Sequence, residues 1–292
     1  MTAIHDNLAR ADRALVKLRS ALSEGRVDEA VAIGEEAVGA APDYAPAIAG
    51  LASALKRAGR DDEARGVLVD APSTVLGSTG DRVEMAAFCL REGVPEPAME
   101  ILRTTLEANR RDGRAAELLA RAYLTENDFG AVVAVCEPFR ARGQATPTLL
   151  RLLAAAHERL SDLRAAEECA HMYSEAAPLD PRGHYHLATL EHRLGNVGEA
   201  MDRYDLAIEL GGADQKLANA AADGIRALDA LQLRQVTAIA SRDPGFRIAL
   251  QRDLPGTLDE NGFVLSDEGM SLLSSMDLST LTATDPGATR YH

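Results

Sequence analysis

The sequence has no tryptophan, and aromatic residues make up only 4% of its 292 positions. A single globular core of that size ordinarily draws on more large rings. A stack of thin, Ala- and Leu-rich helices does not need them. Lysine is nearly missing. Lys17, Lys56 and Lys216 are the only ones, which leaves little for Schiff-base or lysine-nucleophile chemistry. There is no apolar run of about 20 residues, the length a membrane-crossing helix requires. The opening stretch MTAIHDNLARADRALVKL is amphipathic and contains acids, unlike a signal peptide. The cysteines, Cys89, Cys136 and Cys169, lie too far apart for a CxxC or a metal-ligand spacing. They read as buried thiols of a reducing compartment, so a cytoplasmic location is expected. Positive charge is also in deficit. The formal net charge of −14 argues against nucleic acid or an anionic membrane surface as the main partner.

Signatures of catalysis are missing as well. There is no P-loop, no GxSxG, and no GxGxxG after a strand. His157-Glu158 lacks the second histidine of HExxH. His184, His186 and His192 fall on one expected helix, but His186 points about 160° away from His184 at ~100° per residue. That is a poor chelate, and neither a metal nor another cofactor is expected. Acidic pairs such as Asp61-Asp62 and Glu167-Glu168 fall on turns or outer helix surfaces, where solvated charge explains them. The chain is read as not itself an enzyme.

What is present is a repeat. Pro181 to Gly212 reads as two amphipathic helices broken at Gly195-Asn196, with small Ala188, Ala200 and Ala207 where two helices must approach closely. Leu187, Leu190, Met201, Tyr204 and Ile208 fill the spaces between. Matching slots recur backwards along the chain. They hold Leu153-Ala154, Ser161-Asp162 and Ala166, then Leu119-Ala120, Asn127-Asp128 and Val132. Earlier come Met85-Ala86, Gly93 and Ala98, then Leu51-Ala52, Gly59 and Ala64, and first Leu18, Ala21, Gly25 and Ala30. The anchors Ala30, Ala64 and Ala98 are 34 residues apart, as are Val132, Ala166 and Ala200. This pattern closely resembles the tetratricopeptide repeat (TPR), a helix-turn-helix unit of 34 residues.

The resemblance implies an all-α, right-handed TPR-type solenoid of about six to seven helical hairpins, with a short helical, partly disordered C-terminal tail. The solenoid would occupy residues 1–212, and 213–242 would form a degenerate seventh repeat or a cap. In that last stretch two helices are expected, about Lys216 to Ala230 and Leu231 to Ser241, and the anchor slot holds Arg234. In a TPR array the first helix of each pair lines the concave surface. The resemblance places Arg19, Lys56, Arg57, Arg91, Arg114 and Arg121 there, with Arg151, Arg159, Arg182, Tyr185, His192 and Arg193. So basic a lining suits an acidic or extended peptide. The Lys and Asn pattern of the chaperone-clamp subgroup is not found. A non-enzymatic scaffold with a protein or peptide partner is implied.

Residues 243–292 are not a repeat. They hold eight acidic residues and three basic ones. Short helices are expected over Pro244–Gln251 and Asp267–Met276, the second N-capped by Ser266. Asp243-Pro244, Phe246-Arg247, Leu250, Gly262-Phe263 and Leu265 resemble the leader segment of precursors of ribosomally synthesised, post-translationally modified peptides. Asp253-Leu254-Pro255 departs from the Asp-Pro usual there. That resemblance implies a leader-like helical segment over 243–276 and a flexible core-like tail over 277–292. The tail contains no cysteine, which excludes thioethers and thiazoles. Arg290, Tyr291 and His292 would be the candidate modified residues, since the Tyr-His pair resembles short cores cross-linked by cytochrome P450 enzymes. An ordinary C-terminal cap is the plain alternative.

Overall fold

The computed structural model describes residues 2–72, 74–212 and 214–278, with side chains from residue 5 onward. Arg290, Tyr291 and His292 lie outside the described residues. The described residues form sixteen helices and no strand, as the all-α reading expects. The chain divides into two compact units, residues 1–160 and 161–292. The first contains α1 (Thr2–Ser23), α2 (Val27–Ala40), α3 (Ala45–Arg57), α4 (Asp61–Val69), α5 (Thr79–Arg91), α6 (Pro95–Ala108), α7 (Gly113–Thr125), α8 (Phe129–Ala141) and α9 (Pro147–Arg159). The second contains α10 (Leu163–Ala176), α11 (Pro181–Leu194), α12 (Val197–Leu210), α13 (Gln215–Arg242), α14 (Pro244–Arg252), α15 (Leu254–Glu260) and α16 (Asp267–Ser275).

The 34-residue period is written into the backbone. Gly25, Gly59, Gly93, Asn127, Ser161 and Gly195 all have positive φ, between 59° and 87°. Each stands at the break between two helices, where a left-handed residue reverses the chain. Five residues further on come the anchors. Ala30, Ala98, Val132, Ala166 and Ala200 are fully buried and Ala64 nearly so. Small side chains there let the two helices close together. Gly34 on α2 shows how closely: a Cβ on it would stand 3.0 Å from the Leu51 Cα of α3. Where glycine is missing at the turn, an aspartate compensates. Asp128 and Asp162 accept from the backbone N–H of Ala131 (3.0 Å) and Ala165 (3.2 Å), capping α8 and α10.

In the first unit the odd-numbered helices α1, α3, α5, α7 and α9 pack side by side; α2, α6 and α8 each back both neighbours in sequence, and α4 packs on α3 and α6. One buried cluster runs from Leu18 to Leu119, with Ile48, Leu68, Met85, Ile101 and Leu102 fully enclosed. A long connection separates α4 from α5. Helix α4 ends early, at Val69, and the returning chain pairs Leu76 with the backbone of Asp43 and Ala45. Ser78 and Asp81 then form a capping box at the start of α5.

In the second unit the period stops. Residues 216–241 are not two helices but part of one 28-residue helix, α13. The sequence explains this. Thirty-four residues after Gly195 stands Asp229, in the run Ala-Leu-Asp-Ala-Leu, which has no glycine, and its carboxylate is engaged by Ser266 instead of a turn. The helix therefore continues, and its second half gathers α14, α15 and α16. Leu233, Val236 and Ala240 of α13 are buried with Phe246, Leu250, Leu258, Leu273 and Leu278. Helix α15, unforeseen in the sequence, starts on Asp253, which caps Gly256 N–H at 3.1 Å.

The turn residues make a graded stability prediction. Ser161 is an L-residue held at φ 64°, a conformation that costs it about 1–2 kcal/mol. Ser161→Gly removes that cost and loses roughly 0.4–1 kcal/mol to unfolded-chain entropy. A net gain of about 0.5–1 kcal/mol is expected as an upward shift of the urea midpoint. Asn127→Gly should be near neutral, because asparagine tolerates the left-handed region.

Candidate partner-binding site

The sequence-derived groove residues divide between the units. Arg19, Lys56, Arg57, Arg91, Arg114, Arg121, Arg151 and Arg159 stand on the odd-numbered helices of the first. Arg182, Tyr185, His192 and Arg193 stand on α11 of the second. Within the first unit the structure brings Arg19 and Arg91 to one cleft of about 340 Å³ across α1, α3 and α5. Leu15, Leu22, Met85 and Phe88 form its apolar surface, and Asp81 and Glu84 share its rim. The cleft is therefore charge-balanced. Such a lining can grip an extended peptide through both signs of charge and one apolar anchor.

Several of the other cations bind the chain itself. Lys56 Nζ pairs with Glu92 at 2.5 Å, tying α3 to the end of α5. Arg114 reaches Glu84 at 3.8 Å. Arg57 donates to the Leu22 carbonyl at 3.4 Å. The Arg91 guanidinium lies 5.3 Å from the Phe88 ring centroid, and that of Arg159 lies 5.1 Å from the Phe129 centroid. Arg121 is exposed and Arg151 half-buried. In the second unit Arg182 stands 3.6 Å from Asp214, and Arg193 is exposed. The Tyr185 ring packs against Tyr204 at 5.8 Å, and His192 is half-buried on α11. His184 is buried, with Nε2 2.9 Å from the Pro178 carbonyl. No group of three or more metal-ligating side chains is found among the described residues.

The leader-like residues each have a packing task. Asp243 accepts from the N–H groups of Gly245 (2.8 Å) and Phe246 (3.1 Å), and Pro244 opens α14. Phe246 and Leu250 are buried against α13, and Arg247 donates to the Ala240 carbonyl at 2.7 Å. Gly262, at φ 73°, ends α15, and Phe263 and Leu265 pack partly buried against the same cluster.

The extended stretch 263–266 is held by two buried polar side chains that the sequence reading passed over. Gln232 accepts from the Val264 N–H at 2.8 Å and donates to the Val264 carbonyl. Asp229 accepts from the Ser266 N–H at 2.9 Å and from its hydroxyl. The available signal was a polar pair, Asp229 and Gln232, on the apolar face of a helix. Leu278 then buries at the end of this cluster. Beside it, Asp202, Asp205, Asp267 and Glu268 line an acidic cleft, where burial first and neighbouring acids second push the Asp205 carboxyl up.

The thiols are poor nucleophiles by position. All three cysteines are buried and none is in a disulfide. Burial pushes Cys89 from 9.0 up to about 11. Burial, then the 2.7 Å bond to Asp12, raises Tyr44 from 10.0 to about 12. Both groups are neutral below their ordinary values, so folding gains or loses nothing there. Above about pH 9 the unfolded chain loses each proton before the folded one, so stability falls as pH rises through 9 to 12. Native protein should not react with Ellman's reagent at neutral pH, and the urea midpoint should decline only above about pH 9. Cys89→Ala should delay the start of that decline.

Residues 21–75, from the end of α1 through α4, match the family model for the tetratricopeptide repeat. No curated protein matches the chain. Among solved structures it is similar to MamA from Desulfovibrio magneticus RS-1, with 17% identity over 59% of this chain and 97% of that one, TM-score 0.48. It is similar to a thermophilic TPR protein of Thermus thermophilus, with 18% identity over 73% and 98%, TM-score 0.39. A chain of the APC/C Cut9–Hcn1 hetero-tetramer matches at 16% identity over 75% of this chain, TM-score 0.43, and here the match spans 44% of the other's length. Among the described residues no helix is long and apolar enough to cross a membrane.

Proposed function

We propose that this tetratricopeptide-repeat chain is a non-enzymatic scaffold in the cytoplasm. It takes a protein or peptide partner on the cleft of α1, α3 and α5, and it offers residues 279–292 to a modifying enzyme. The observation that supports this is the break in the period. The chain gives up its seventh turn, runs α13 on, and uses it to seat a leader-like segment that ends at buried Leu278. A segment following a fixed anchor is positioned for an enzyme acting in trans. On this reading a cytochrome P450 joins the Tyr291 and His292 rings. The new bond removes two hydrogen atoms, taken up by the oxidant that the P450 supplies.

The test is the mass of the 277–292 peptide after proteolysis of protein from its natural source. Loss of two hydrogens localised to Tyr291-His292 supports the reading, and any other localised shift names a different modification. An unshifted peptide ends it. The plain alternative, a TPR adaptor with residues 243–278 as a cap, is favoured by a specific observation. Every leader-like residue already has a packing role. On that reading the cleft variants Arg19→Glu and Arg91→Glu abolish partner capture, and removal of 279–292 has no effect.

A further inference from the structure

A second cleft in the first unit lies on other helices. It measures about 410 Å³ and is bounded by α6, α7 and α8. Helices α6 and α8 both pack on α7, and the α8 side chains turned to the gap include the small Ala131 and Ala134. The gap is left open by that choice of residues. Its surface is mostly apolar, with Leu106 of α6, Leu119 and Tyr123 of α7, and Val135, Pro138 and Phe139 of α8. Pro138 has no N–H, so the Ala134 carbonyl one turn earlier receives no helical hydrogen bond from it.

The charged lining is Arg103, Arg110 and Arg142 against one carboxylate, Glu107. Arg103 is already paired with Glu100 at 2.6 Å. Arg142 and Arg110 are different. The Arg142 Nη2 donates to the Arg110 carbonyl at 3.1 Å, and its guanidinium lies 5.1 Å from the Phe139 ring centroid. That ties the Arg142 side chain to the backbone of the turn that carries Arg110, in the lining of the apolar cleft. Cations near helix C-termini are stabilised there in any case. The helix dipole, however, does not account for an apolar trough lined by three arginines and one carboxylate. Arginines lining one cleft can receive a carboxylate through charge-assisted hydrogen bonds.

We propose that this cleft is a second docking site, and that it takes an acidic amphipathic segment of a partner protein. One large apolar side chain of the segment inserts between Leu119, Val135 and Phe139. A carboxylate one or two turns away is received by Arg110 and Arg142. The trough suits the helix-in-groove mode, with apolar anchors on one face and charge flanking them. An acidic partner is the one this site selects, because a basic segment would meet Arg110 and Arg142. The site goes beyond the proposed scaffold reading and uses neither the α1–α3–α5 cleft nor residues 279–292.

Fluorescence anisotropy on the full chain tests it. The probe is a labelled helical peptide of about 15 residues, long enough to cross the cleft, with Leu and Phe on one face and Glu on the other. Its control replaces every Glu by Lys. The acidic peptide should bind at least ~10-fold tighter than the basic one, and more weakly as salt rises. Arg110→Glu should weaken it by ~10-fold or more, and Ala134→Trp, which fills the trough from an exposed position, should do the same. Arg110 is exposed, so its variant is expected to melt like the parent. Arg91→Glu on the other cleft should leave the affinity unchanged, which separates failure here from failure of the scaffold reading. Absence of binding, equal binding of the two peptides, or indifference to both cleft variants overturns the proposal.

Discussion

Asp229→Ala is expected to free α16 and the stretch before it from α13 while leaving residues 2–160 untouched. Asp229 is 4% exposed, and its carboxylate receives both the N–H and the hydroxyl of Ser266. It is also packed tightly. A Cβ on Gly269 would come within 2.5 Å of Asp229 Oδ1. Removing the acceptor leaves two half-buried donors of Ser266 unpaired at once, each costing about 1–3 kcal/mol at most. A local loss of about 3 kcal/mol corresponds to ~100-fold faster amide exchange, at 1.36 kcal/mol per decade. Hydrogen exchange should show that acceleration over 264–275 and little change in α1 to α9. Asp229→Asn separates shape from charge. Its carbonyl can still accept from Ser266 N–H, and its amide can donate to the Ser266 hydroxyl, so a much smaller effect is expected. Unchanged exchange in Asp229→Ala would mean that the apolar cluster around Leu273 holds the segment alone.

This lock also shows where the sequence could and could not be read. The turn residues Gly25, Gly59, Gly93, Asn127, Ser161 and Gly195 and the anchors from Ala30 to Ala200 are local signals. Each requires a certain backbone angle or a small volume, and a regular period makes six weak signals into one strong one. The end of the period was legible at Arg234. Its consequence was not. The expected break near Ala230 assumed that a seventh hairpin must turn, whereas nothing between Lys216 and Ser241 stops a helix. Helix α13 could be inferred only by giving that absence its weight. The Asp229–Ser266 and Gln232–Val264 contacts are pairings over more than thirty residues, and no periodicity encodes them.

The candidate site was less legible for a related reason. Placing the twelve groove residues by helix register located their helices but not their partners. Lys56 and Glu92 come from different hairpins, as do Arg114 and Glu84, and only packing brings them together. The face looks basic only while its cations alone are collected; Asp81 and Glu84, which stand on the first helix α5 itself, make the cleft charge-balanced. The arginines of the second cleft were missed because Arg103 belongs to a second helix, and Arg110 and Arg142 to the turns after second helices. A first-helix search never visits those positions. Pro138 inside α8 was the signal that this helix departs from its fellows.

Gly224→Ala tests the packing of α13 against the repeats of its own unit, through the sign of its effect. In an exposed helix interior, alanine for glycine stabilises by about 1 kcal/mol. Gly224 is not such a site. A Cβ there would stand 2.5, 2.7 and 2.9 Å from the Cζ, Cε2 and Cε1 of Tyr204. Tyr204 is 3% exposed and packed against Tyr185, and burial pushes its hydroxyl up, so its ring has little room to retreat. Overpacking at about 3 kcal/mol against a propensity gain of about 1 leaves a net loss of roughly 2 kcal/mol. The expected reading is a melting transition lower by about 6 °C for the unit concerned. Tyr204→Leu removes the ring and opens a cavity, so it also destabilises alone. In the double variant the new Cβ meets open space, and the two losses should fall short of their sum by roughly 1 kcal/mol or more, the coupling typical of residues in contact. If Gly224→Ala instead raises the transition, the Tyr204 ring has moved aside, and α13 is held to α11 and α12 by the aliphatic contacts of Ile225 and Leu228 without it.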